Sequence, residues 1–339
     1  MQKKYAYVYS SEMCNGKNHI LSIQLTICNY IKNLFDPIEL REITNDIINK
    51  YDVICVDGFV LPELRIPHEK AHRYLDIIRN CKNICVLTRD LHEHTFDGRC
   101  VPTVTKDMIN GIYVPKKGID RGYIQCKARL EKYNVKNIIS IYDCNEFDNL
   151  INFTKCNPYI LSLHVDTKIF KNLNIKRDID VLVYGADYYP IYPLRNNVKR
   201  VVKKMNIKHH VMDPCPYYDP NKCNNGLANL LNRSWLTLCT CSVYDYLVLK
   251  YFEASACGSV VVGNMAKQGK EIWEDNYINI PNNATDNEIM QIITMALENK
   301  ERLTQIGEKM CQKISSEYNY DQYAIKLKAI CDDINKNNL

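Results

Sequence analysis

Two carboxylates and a run of small residues mark the segment 245–263 as the part of this chain best equipped for chemistry. Asp245 is followed eight positions later by Glu253, which opens Ala254-Ser255-Ala256-Cys257-Gly258. Ser259-Val260-Val261-Val262 then reads as a buried parallel strand. This order predicts a helix starting near Asp245, stopped at Gly258 and followed by the strand. Asp245 sits at the helix entrance and Glu253 about two turns further in. A helix N-terminus that follows a parallel strand offers N–H donors and a positive dipole end, which suits a phosphate. The run 235–240 is that preceding strand, and Cys241-Ser242-Val243-Tyr244 connects it to the helix. The N–H groups of Tyr246 and Leu247 are therefore the expected phosphate ligands. Plainer roles exist: Asp245 as a helix N-cap, Glu253 as an ion-pair partner of Lys250.

A bound diphosphate also attracts cations. Asp180-Val181-Leu182-Val183-Tyr184-Gly185 reads as a strand ending in a tight turn, and Pro193 stands where a helix can begin. Arg195 then lies in the first turn of that helix, where a guanidinium can clamp phosphate oxygens in bidentate fashion. Lys250 is the second cation in reach. For both, a solvated helix position is the plain alternative.

These residues need a scaffold, and the chain supplies two. Strand-like runs at 5–10, 52–56, 83–88, 111–114, 137–142 and 159–165 form one series. Runs at 180–185, 209–213, 235–240, 259–262 and 277–280 form a second. Helical periodicity fills the gaps; Ile20, Ile23, Ile27, Ile31 and Leu34 step by three and four until Pro37. Strands alternating with helices predict parallel sheets built from right-handed crossovers. Two series predict two doubly wound domains, and 339 residues are enough for both. The expected division is 1–170, 171–318 and a terminal helical segment, 319–339.

Composition narrows the function. Hydrophobic residues make up 46% of the chain, which supports two cores. A net charge of +5, scattered along the sequence, gives no basic stripe for nucleic acid. The opening Met-Gln-Lys-Lys-Tyr is too polar for a signal peptide, and no run approaches the length of a membrane span. Peripheral contact is the only kind of membrane contact to expect. Many of the 16 cysteines, such as Cys28, Cys55, Cys85, Cys239 and Cys257, fall in apolar runs, as buried thiols do in a reducing cytoplasm. Cys215, Cys223, Cys239 and Cys241 with His209 and His210 match no zinc-module spacing, and His92-x-His94 lacks a third ligand. No metal or cofactor is expected. Tyr217 and Tyr218 could stack on a base, although 24 tyrosines make packing an ample explanation.

The run Asp245-x7-Glu253, the Ala-x-Ala-x-Gly ending at Gly258 and the valine strand together resemble the donor site of retaining GT-B glycosyltransferases, glycosyltransferase group 1. That group has Glu where this chain has Asp245. Lys250-Tyr-Phe-Glu253-Ala-Ser-Ala-Cys-Gly258 and the tail Leu303-x-x-Ile-Gly307…Tyr318-x-Tyr320 look most like its spore-maturation-type members. His164, Asp166 and Phe170 fit the segment that closes the first domain in such enzymes. The resemblance implies two facing Rossmann-like domains with a cleft between them and a terminal helix that crosses back to the first. It implies a nucleoside-diphosphate sugar as donor, with Asp245 on the sugar hydroxyls and Glu253 on the ribose hydroxyls. Basic side chains in place of a metal, and retention at the anomeric carbon, follow from the same resemblance. The acceptor would be a hydroxyl of a glycan, protein or small molecule. In the family, His-Asp ends a strand of the first domain; here Arg89-Asp90 stands there with His92 two residues on. Asp90 or His92 is the expected group that orients the acceptor, and both join Asp245 as candidate catalytic residues. Gly16 stands in the first loop, where the family has a glycine pair. A non-catalytic sugar-nucleotide or glycan-binding protein and a sugar-nucleotide epimerase are the alternatives on the same fold.

Overall fold

A computed structural model of the protein describes residues 4–10, 18–57, 74, 76–88, 91, 121–186, 191–212 and 226–337. The described residues form two compact units. The first holds those up to Ser162 together with those from Asp321 onward; the second holds Leu163–Tyr320.

The first unit is built on six parallel strands: β1 (Tyr5–Tyr9), β2 (Asp36–Glu39), β3 (Val53–Asp57), β4 (Ile84–Thr88), β5 (Asn137–Ser140) and β6 (Asn157–Ile160). Their order is β2-β1-β3-β4-β5-β6. β3, Val-Ile-Cys-Val-Asp, and β4, Ile-Cys-Val-Leu-Thr, are buried at every position, as expected of parallel strands covered on both faces. The periodic helix is Asn18–Ile31, ending earlier than Leu34, and Pro37 lies inside β2. Proline cannot donate to a ladder, but among the described residues β2 is the edge strand and pairs with β1 alone, Pro37 opposite Tyr7. The run expected at 111–114 lies outside the described residues. The helix Tyr320–Asn337 packs on this unit: Leu327, Cys331 and Ile334 are buried, Tyr5 donates to Asp332, and the Tyr159 hydroxyl donates to Asp333 at 2.8 Å.

The second unit has five parallel strands: β7 (Ile179–Val183), β8 (His209–Val211), β9 (Ser234–Leu238), β10 (Val260–Gly263) and β11 (Ile278–Asn279). They run in the order β11-β10-β9-β7-β8. After β7 the chain goes outward to β8, then returns to the other side of β7 to lay down β9. The loops that leave β7 and β9 therefore diverge, and this is the switch point where doubly wound sheets bind ligands. Residues 163–170 pack with this unit. The Phe170 side chain is in its core, and Val165 bridges to Asn319.

The helix after β9 is Lys250–Ala256, and its end is a Schellman motif. Ser259 N–H donates to Ala254 O at 3.0 Å, Gly258 N–H donates to Ser255 O at 2.9 Å, and Gly258 takes φ +71. The Lys300–Glu317 helix lies so close to this stop that a Cβ on Gly307 would fall 2.4 Å from Gly258 O. Backbone cannot yield as a side chain tip does. Gly307→Ala should therefore destabilise the second unit by about 1–3 kcal/mol, an overpacking cost. Both tryptophans of the chain, Trp235 and Trp273, lie in this unit, so denaturant titration followed by tryptophan fluorescence measures it directly.

Candidate functional site

At the switch point, four of the residues singled out above come together. Gly185 follows β7 with φ +89, a conformation that side chains resist. A Cβ there would lie 2.7 Å from Lys250 Nζ and 3.8 Å from an Arg195 nitrogen. Glycine thus leaves room for the Lys250 ammonium against the turn, while Arg195 stays at ordinary contact distance. Pro193 opens the helix Pro193–Val202, which places Arg195 in its first turn.

Arg195 is only 2% exposed. Its Nε donates to Thr240 Oγ1 and one terminal nitrogen to Thr240 O, both at 3.1 Å; the other terminal nitrogen donates to Ala186 O. Its guanidinium also stacks 3.8 Å from the Tyr192 ring centroid. Thr240 follows β9 and Ala186 follows β7, so one side chain pins the two diverging loops together. The fork formed by Nε and a terminal nitrogen is filled by Thr240, because the carbonyls at these strand ends need donors.

Lys250 is 7% exposed. Its ammonium donates to Tyr184 O and sits 4.5 Å from the Tyr184 ring centroid. Burial, then the Arg195 charge, holds its pKa well below the ordinary lysine value, while the Cys239 thiol and Glu253 pull it upward. Glu253 is half-buried and accepts the Tyr184 hydroxyl at Oε2, 2.8 Å. Burial raises its pKa, opposed by the Tyr184 bond and by Lys250. No ion pair closes between Lys250 and Glu253; the ammonium goes to a carbonyl and the carboxylate to a phenol. Burial also pushes the Cys239 thiol, at the end of β9, up to about 12. A thiol so held keeps its proton and serves as packing. The described cysteines are all free.

Asp245 departs from expectation. It takes a left-handed φ of +61, which aspartate tolerates better than most residues, and the helix starts only at Lys250. Its Oδ2 accepts Lys267 N–H at 3.0 Å, so it caps a different helix, Lys267–Trp273. Tyr246 and Leu247 consequently stand in the buried connector and do not open a helix. Tyr246 N–H donates to Ser242 Oγ at 3.4 Å, and its ring packs against Tyr244. Asn264, after β10, ties this connector down by accepting Cys241 N–H at 3.0 Å and donating to Asn282 at 2.7 Å.

Three residues of this site went unread in the sequence: Tyr184, Thr240 and Asn264. A signal existed, since each is a polar residue at the carboxyl end of a strand, where such sheets place ligand sites. Asp90, His92, His94, Gly16, Cys215, Tyr217, Tyr218 and Cys223 lie outside the described residues. Among the described residues, no group of three or more His, Cys, Asp or Glu side chains is placed to hold a metal ion, and no helix is long and apolar enough to cross a membrane.

Residues 169–329 match a family model described as glycosyl transferase-like. No curated protein matches the chain. Among solved structures, the chain is similar to sucrose-phosphate synthase from Thermosynechococcus elongatus, with 12% identity and a TM-score of 0.56 over 98% of this chain and 99% of that one. A glycosyltransferase from Rickettsia africae gives 12% identity and a TM-score of 0.56 over 99% of both chains. Anabaena HepE in complex with UDP-glucose gives 9% identity and a TM-score of 0.57 over 97% of this chain and 99% of that one. At such identities the likeness is one of fold, and the fold is GT-B: two α/β domains, each on a parallel sheet. The family match over 169–329 takes in the switch-point cluster, and the likeness of fold extends over the whole chain.

Proposed function

We propose that this protein transfers a sugar from a nucleoside-diphosphate sugar to an acceptor hydroxyl, with retention of configuration and without a metal. The observation that carries the reading is the gathering of Gly185, Arg195, Lys250 and Glu253 at the ends of β7 and β9. A carboxylate beside two buried cations suits a ligand that has both a diol and a diphosphate. Glu253 would accept the ribose hydroxyls, a charge-assisted pair of bonds. Lys250 and Arg195, fixed beneath the loops, would stabilise the charge that builds as the diphosphate leaves. Because both are already oriented by the fold, that stabilisation needs no reorganisation during the reaction.

Asp245 would meet the donor sugar from the connector, with Tyr246 and Leu247 beside it. Asp90 or His92 would orient the acceptor, a hydroxyl of a glycan, protein or small molecule. HepE, a fold neighbour, has been captured with UDP-glucose, which supports a nucleotide sugar as donor. The run Lys250–Gly258 and the Leu303…Tyr320 tail support placement near the spore-maturation-type members.

The test is thermal stabilisation of the purified protein by UDP, GDP, dTDP and their sugars, with EDTA and then with a divalent cation. A ligand that binds only the native state raises the midpoint. One nucleotide is expected to give a shift of several degrees, the same with and without metal. A well-folded sample that no nucleotide shifts would overturn the reading, and a shift seen only with metal would overturn its metal-independent part.

A further inference from the structure

Tyr184 has no role in the chemistry described so far, yet it is the residue on which Lys250 and Glu253 converge. It follows β7 directly, so the sheet sets its backbone. Its carbonyl accepts from the Lys250 ammonium, and its ring lies against the same ammonium. Its hydroxyl is the donor to Glu253 Oε2. A phenol held at the backbone and at the ring has little freedom left, so the carboxylate it grips is fixed as well.

We infer that Tyr184 is a positioning residue. By holding Oε2 it turns the rest of the Glu253 carboxylate toward the ribose diol of the bound nucleotide, and so makes the site select ribonucleotides over 2′-deoxyribonucleotides. This inference rests on the proposed donor site. Its physical basis is directional. A carboxylate that can rotate meets one hydroxyl or two almost equally well, whereas a fixed one is matched to two neighbouring hydroxyls and loses a bond when one is absent. The charge on Glu253 matters in the same way. Tyr184 from the end of β7 and Lys250 from its own helix hold its pKa down against burial. The thiols of Cys239, at the end of β9, and Cys257 feel the Glu253 charge, and Lys250 feels that of Arg195. Without the phenol, Glu253 should protonate at a higher pH.

The experiment measures binding of UDP and 2′-deoxy-UDP, and of GDP and 2′-deoxy-GDP, to the full chain and to Tyr184→Phe, Tyr184→Met and Glu253→Gln, across pH 5 to 8. The wild type is expected to prefer the ribonucleotide by about tenfold, the worth of one charge-assisted bond. Tyr184→Phe should cut that preference to about twofold and move the acid limb of binding to higher pH. Either folded Tyr184 variant showing the wild-type preference and the wild-type acid limb overturns the inference; Tyr184→Met supplies this readout if Tyr184→Phe does not fold. A wild-type preference that survives in Glu253→Gln would show that Glu253 does not meet the ribose, which is a failure of the donor-site reading itself. Binding of neither UDP nor GDP to the wild type removes both.

Discussion

Arg195→Met is expected to destabilise the second unit by about 3 kcal/mol and to abolish detectable nucleotide binding. Methionine is shorter than arginine but close to it in volume, so the effect does not come mainly from a large cavity. It comes from three acceptors. Thr240 O and Thr240 Oγ1 take hydrogen bonds from the guanidinium inside the protein, and Ala186 O, on an exposed residue, takes a third. A buried acceptor left without its donor costs about 1–3 kcal/mol, and the two on Thr240 sit close enough together for their costs not to add fully, while Ala186 O can turn to water. Binding fails for a separate reason. The loops after β7 and β9 diverge, and Arg195 ties them together beside the bond from Val243 N–H to Ile191 O at 3.0 Å. With the pin removed, Ala186 beside the Gly185 turn loses its tie to Thr240 at the start of the connector, so the two strand ends are held less firmly. Lys250 should respond in the opposite direction: the Arg195 charge is one of the causes that depress its pKa, so its proton affinity rises in the variant. Tryptophan fluorescence in a urea titration gives the stability change, and calorimetry gives the binding. A folded Arg195→Met protein with native stability would show that the pin is dispensable.

Glu253→Gln is expected to weaken binding of the stabilising nucleoside diphosphate about tenfold while the protein stays folded. Glutamine keeps the size of the side chain and still offers an oxygen to Tyr184, so the phenol retains a partner. What disappears is the charge. Hydrogen bonds to an ionised group are worth roughly twice those between neutral groups, and a ribose diol bound to a carboxylate would lose that difference. Loss of the carboxylate also removes one of the groups that raise the Lys250 pKa, so the lysine becomes still less willing to carry its proton. That works against phosphate binding in the same direction. Calorimetry with UDP or GDP measures the effect. Unchanged affinity in the variant would remove Glu253 from the donor site.

The sequence by itself carried the fold class, because the signals for it are local. Alternating runs such as those at 52–56 and 83–88 appear as strands within a residue or two. The Gly258 stop was legible for the same reason: a left-handed glycine after a helix needs only its own neighbours in the chain. Pro193 likewise announced its helix and put Arg195 in the first turn. Edge strand β2 was hidden, since Pro37 reads as a breaker until its place at the sheet edge is known. What only the tertiary structure decided was how the site residues are used. Asp245 reads as the start of the nearest helix. Its carboxylate is taken instead by Lys267 N–H, 22 residues further along the chain. Arg195 reads as free for a ligand, but Thr240, 45 residues away, claims it. Tyr184 meets Glu253 across 69 residues. Each of these bonds joins the end of one strand to an element that the sheet order, not the sequence order, brings alongside. A periodicity or a spacing records only the neighbours along the chain, and at a switch point the neighbours that matter belong to other strands.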